Sequence, residues 1–140
     1  MNKTIALLSF ASCLVAAACG GASPPAATSA AAPASQSTSL DGTSYEVSLE
    51  FAGEAPVKDV LSFDRGNFES SACTGLGFPK WTQYRCDREG DAIGFHVETR
   101  NPKGPTVEWS GTVQGGTASG KAKRTIDGKT DVGTFQGSAR

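Results

Sequence analysis

His96 is the single histidine of the chain, and its setting offers it no catalytic role. It follows Phe95 in an alternating apolar–polar run, so its side chain is expected on the solvated face of a strand. A general base needs a positioned partner as well as a matched pKa. Glu46, Glu50, Glu98 and Glu108 share that outward parity, where carboxylates solubilise a strand and discourage edge pairing. Ser110 and Ser119 lack the strand–turn–helix setting of a nucleophile elbow, and no G-x-G-x-x-G phosphate cradle occurs. "DREGD", residues 87–91, gathers carboxylates without the length or spacing of an EF-hand loop and reads as an acidic hairpin turn. The cysteines at 13, 19, 73 and 86 form no C-x-x-C pair, and one histidine does not complete a zinc set. The sequence therefore predicts no catalytic residue, no metal, no cofactor and no enzyme.

The cysteines point instead to export. Lys3 precedes an uncharged apolar run, residues 5–18, that falls short of the ~20 residues of a membrane span and ends at Gly20 and Gly21. That pattern predicts an export signal over residues 1–18. "VAAAC", residues 15–19, resembles the lipobox of bacterial lipoprotein signals, with small residues at the two positions before the cysteine and Ala16 where leucine is commonest. Cys13, after "FAS", fits that pattern less well. The resemblance implies that Cys19 is acylated and becomes the new N-terminus, anchoring the protein to the bacterial cell envelope. One chain holds only reversibly, at ~0.8 kcal/mol per buried methylene, whereas several hold durably. Gly20 in place of an acidic residue implies delivery to the outer membrane. Secretion after an A-x-A site, with Cys19 left as a thiol, is the alternative.

Residues 20–39, "GGASPPAATSAAAPASQSTS", carry no charge and no large apolar side chain. Such a segment cannot bury enough surface to offset its ordering entropy, so residues 19–39 are expected to be a disordered tether with a reach of roughly 25 Å. The formal charge of −1 and the absence of any basic run argue against nucleic acid as a partner. With Cys13 in the signal and Cys19 lipidated, Cys73 and Cys86 remain, and in an exported protein they are expected to form a disulfide.

From Leu40 the composition changes, and residues 40–140 read as one domain of short alternating runs separated by turn residues. "SYEVSLEF" puts Tyr45, Val47, Leu49 and Phe51 on one face; "VKDVLSFD" does the same with Leu61 and Phe63. "AIGFHVET" turns Ile93, Phe95 and Val97 inward, and "TVEWSGTV" turns Val107, Trp109 and Val113 inward. "QGG" and "DG" are hairpin signals. No stretch holds a 3.6-residue period, so helix should be nearly absent. The expected fold is all-β: a small antiparallel meander barrel of about eight strands, with "FQGSAR" pairing back onto "TSYEV". Closure removes the sticky edges; a two-sheet β-sandwich is the alternative.

The Gly-rich meander ending in "W-x-G-x-V-x-G…F-x-G" resembles calycin-type barrels, the lipocalin and avidin architecture, in strand count and rhythm over residues 40–140. Within it two features suggest binding. Large Trp109 and Phe95 face the small residues Ala118, Gly120, Ala122, Gly133 and Gly137, which either make room for the rings or leave a cavity for one small molecule. "CTGLGFPKWTQYRC" gathers Leu76, Phe78, Trp81 and Tyr84 in an interval that a disulfide would preorganise for contact. The candidate binding residues are thus Leu76, Phe78, Trp81, Tyr84 and Trp109. The expected function is a non-catalytic envelope lipoprotein that binds an apolar small molecule or an envelope protein. "QYRCDREGDAI" is also similar to the lysozyme-inhibitor lipoproteins, so inhibition of a hydrolase such as lysozyme or a protease is the alternative.

Overall fold

The computed structural model describes residues 39–140. The expected signal, Cys19 and nearly all of the expected tether lie outside the described residues. The chain forms β1 (Thr43–Phe51), β2 (Val57–Asp64), β3 (Asn67–Ser70), a one-turn helix α1 (Ser71–Gly75), β4 (Thr82–Gln83), β5 (Arg85–Glu89), β6 (Ala92–Arg100), β7 (Thr106–Gln114), β8 (Thr117–Ile126) and β9 (Lys129–Ala139). All nine strands belong to one antiparallel sheet of order β4-β3-β2-β1-β9-β8-β7-β6-β5. The fold is therefore the meander barrel, nearly closed, and not a two-sheet sandwich.

Two features bring the ring close to closure. The chain ends pair as β1 with β9, Tyr45 opposite Ala139 and Leu49 opposite Phe135. Opposite them, the strand expected from "KWTQYRC" breaks at Tyr84 into β4 and β5. β4 pairs with β3, Phe68 opposite Thr82, while β5 pairs with β6, Arg85 opposite His96. The break raises the strand number to nine without adding a turn.

Tight turns hold the register. Arg65–Gly66 and Asp127–Gly128 both have positive φ at each central residue, with φ of 48° and 75° at the first turn and 49° and 75° at the second. This is the mirror-image turn whose twist matches that of the flanking strands.

The interior is aromatic through its middle. The Phe63 ring meets Phe95 at 5.0 Å, Tyr84 at 5.1 Å and Phe68 at 5.4 Å, each near edge-to-face. Trp109, fully buried, touches Phe68 and Phe135, both at 5.6 Å. Such pairs add ~0.5–1.5 kcal/mol beyond the area they bury. A Cβ at Gly111 or Gly120 would come within 2.6 or 2.7 Å of the Phe135 Cζ, so these glycines make room for that ring.

One end of the barrel is sealed by the lead-in to β1. Leu40 is buried, and the Tyr84 hydroxyl accepts from the Leu40 amide at 3.0 Å while donating to Asp41 Oδ1 at 2.9 Å. Asp41 also accepts from the Gly66 amide at 2.8 Å. This bond above all, with help from Ser39 and Tyr84, lowers the Asp41 pKa. The other end is covered by α1.

Candidate functional site

The lid over that second end begins with a buried carboxylate. On β2 the inward parity runs Asp59, Leu61, Phe63, so the strand carries an acid into the interior. Asp59 accepts from the Ser70 hydroxyl at 2.5 Å, the Ser71 hydroxyl at 2.8 Å and the Ala72 amide at 2.9 Å. The Ser70 hydroxyl in turn accepts from the Cys73 amide at 3.1 Å, as an N-cap does. Asp59 thus clamps both the last residue of β3 and the first turn of α1. Past the helix, Asn101 donates its amide N–H to the Leu76 carbonyl at 3.0 Å, fastening the connector to the β6–β7 turn.

Between the lid and the barrel end lies a cavity of about 410 Å³. Leu49, Phe78 and Val107 line its depth, with fully buried Trp109 behind them and Cys73 on the inner face of the lid; Phe51, Val57, Leu76, Arg124 and Ile126 form its rim. The volume lies within the ~300–1,000 Å³ of small-molecule sites. At the ~30 Å³ a water occupies in the liquid, it corresponds to roughly a dozen heavy atoms. Leu76 is 74% exposed, Val57 47% and Ile126 45%, so one side of the mouth is apolar.

Deep in this end, burial pushes the Cys73 thiol up to about 11. The Asp59 carboxylate adds to that shift, while Ser70, Thr99 and the Trp109 indole N–H oppose it. The indole N–H makes no hydrogen bond of ordinary geometry among the described residues, yet lies close enough to the sulfur to favour its thiolate. A thiol held this far up is not a nucleophile at neutral pH.

The rim carries one ionic cluster. Inward positions along β8 run Ala118, Gly120, Ala122, Arg124, so a guanidinium ends a column of small residues. Arg124 donates Nη1–H to Glu54 Oε2 at 3.0 Å and Nη2–H to Glu54 Oε1, a two-pronged pairing. Its Nε–H and Nη2–H both donate to Asp131 Oδ2 at 3.3 Å, and its guanidinium carbon lies 4.1 Å from the Phe51 ring centroid. The hydrogen bonds to Arg124 lower the Glu54 pKa, and the bond to Glu54 is the main cause raising that of Arg124.

Of the five candidate binding residues, Leu76, Phe78 and Trp109 meet at this cavity. Trp81 does not: it is 41% exposed with Lys80 Nζ 5.8 Å from its ring. Tyr84 seals the opposite end. The small residues expected to face Trp109 and Phe95 do not line the cavity, because Phe135 fills the space over Gly111 and Gly120. Arg124, Glu54 and Asp59 were not among the sequence candidates; the signal for Arg124 and Asp59 was a charge on the inward parity of a strand.

The disulfide between Cys73 and Cys86 does not form. Register explains why. α1 follows the end of β3 at Ser70, and β4 then returns antiparallel past Phe68 and Asn67, with the Tyr84 amide donating to the Gly66 carbonyl at the β2–β3 turn. By Cys86 the chain has travelled at least ~13 Å along the strand, far beyond the ~4.4–6.8 Å Cα separation of a disulfide. Cys86 lies opposite Phe95 instead; burial above all, then Asp41 and Asp87, raises its pKa.

Comparison with known proteins returned no match to a family model, to a curated protein or to a solved structure.

Proposed function

We propose that this domain is a non-catalytic binding module for an apolar small molecule, tethered to the bacterial envelope through a lipidated Cys19. The observation that carries this reading is the cavity of about 410 Å³ beneath α1, walled by Leu49, Phe78 and Val107 with Trp109 behind them. Each methylene taken from water into such a site contributes ~0.8 kcal/mol, so an aliphatic body of several carbons can bind without any polar contact. The cluster at the rim is too exposed and too fully paired for acid–base chemistry, and Cys73 is held protonated. Binding without turnover is what this arrangement supports.

The test uses 1-decanol, a neutral ligand of matching size, titrated while the fluorescence of buried Trp109 is followed. Saturable binding is expected, and Val107→Phe, which narrows the cavity, should weaken it at least about tenfold while the barrel still unfolds cooperatively. Absence of saturable binding, or equal binding by Val107→Phe, would overturn the reading.

A further inference from the structure

The geometry points to a specific class of ligand for the cavity: an aliphatic monocarboxylate whose head group replaces Glu54 on Arg124. This inference rests on the apolar-ligand reading above and adds the chemistry of the head. Arg124 and Glu54 both line the rim of the cavity, so their ion pair stands where the polar end of a bound chain would emerge. A guanidinium presents a rigid fork that matches a carboxylate in two-pronged fashion, and it remains charged at any working pH.

The two partners of this pair are not held alike. The Arg124 side chain is 23% exposed, lies against the Phe51 ring and faces Asp131 across the β8–β9 ladder, so packing and register fix its orientation without Glu54. Glu54 belongs to the β1–β2 turn, and its side chain is 48% exposed. Half of it already meets water, and what its departure uncovers is the Arg124 fork itself. The fork would then be open toward the cavity while Asp131 stays in place.

Exchange of one carboxylate for another keeps two carboxylates on the guanidinium, Asp131 and the ligand's, while the displaced Glu54 charge goes out to water. A neutral head gains nothing from the exchange, because it would break the Glu54 pair without replacing it. A cationic head would meet the guanidinium directly. In the empty protein, Glu54 is therefore an internal substitute for the ligand head group and competes with it. Affinity for a carboxylate is set by the difference between two similar pairings plus burial of the tail.

The experiment compares decanoate with 1-decanol on the intact chain at low salt, by calorimetry, for the native protein, Glu54→Gln and Arg124→Gln. Glu54→Gln removes the competing charge at nearly constant size. It should tighten decanoate about tenfold and leave decanol within about twofold. Arg124→Gln should weaken decanoate well below decanol, because its carboxylate would then face Glu54 and Asp131 with no cation, and thermal unfolding checks that this variant is folded. If decanol binds while decanoate affinity is unmoved by Glu54→Gln, the head-group assignment is wrong and the apolar cavity stands. If neither ligand binds the native protein or Glu54→Gln, both are wrong. Should Arg124→Gln fail to fold, the response to Glu54→Gln alone decides.

Discussion

Replacing Asp59 with asparagine should release the α1 lid while leaving the barrel folded. Asp59 is 1% exposed and accepts three hydrogen bonds, from Ser70, Ser71 and Ala72. Asparagine keeps one oxygen and turns an N–H₂ toward donors. Ser71 is exposed and can bond to water instead, whereas Ser70 is buried. The net loss is about one hydrogen bond to a charged group, ~1.5–3 kcal/mol. For a domain of this size that lowers the thermal midpoint on the order of 10 °C.

The specific readout is Cys73, the buried residue on the inner face of the lid. Burial holds its thiol at about 11 against an ordinary 9.0, so at pH 8 only ~0.1% is thiolate, against ~10% once the lid opens. Ionisation alone then accelerates alkylation about 100-fold in the open form. Peptide-resolved mass spectrometry at pH 8 should show the Cys73 peptide of Asp59→Asn labelling much faster than global unfolding allows. The reasoning is refuted if labelling rises only in proportion to the unfolding of the barrel followed by circular dichroism.

Two further outcomes are expected. Between pH 9.0 and about 11 the unfolded chain releases the Cys73 proton while the folded one retains it. The unfolded state then binds fewer protons, so the stabilisation present below pH 9 is lost as pH rises through that window, by up to ~3 kcal/mol; urea midpoints should show this slope in the native protein and its absence in Cys73→Ala. Cys19→Ser should abolish labelling with palmitate and move the protein from the membrane to the soluble fraction, and unchanged membrane retention would rule out the lipid anchor.

The parity of β1, β2, β6 and β7 was legible because each strand buries one face, and a one-residue slip would put its apolar set into water. Pairing of β1 with β9 followed from the need to close the edges. The break at Tyr84 was not legible: in "KWTQYRC" Trp81 stands on the opposite parity from Tyr84 and Cys86, and that shift alone does not say whether the strand ends or bulges there. Its change of partner depends on the Tyr84 hydroxyl reaching Leu40 and Asp41, more than forty positions away. The disulfide was inferred from compartment and count, which carry no information about register. In the candidate site, apolar Leu76, Phe78 and Trp109 could be picked out by type. Asp59 is not legible as a site residue although its parity matches Leu61 and Phe63, since a lone charge in an apolar column carries no meaning until its donors are known.

The position of the cavity follows from the same column on β8. Ala118, Gly120 and Ala122 are the residues whose small size suggests empty space, yet aromatic rings from β7 and β9 occupy it: Phe135 lies over Gly120, and Trp109 sits opposite Ala122 in the ladder. The next inward residue is Arg124, opposite Val107, and here no ring enters from the facing strand. An arginine extended into the barrel would fill this level at the cost of burying its charge away from water. Phe51 prevents that by offering a ring face at 4.1 Å, and Glu54 and Asp131 hold the guanidinium at the rim. Arg124 thus leaves the void beneath α1 unfilled, and the contacts that hold the side chain at the rim place its charge at the mouth.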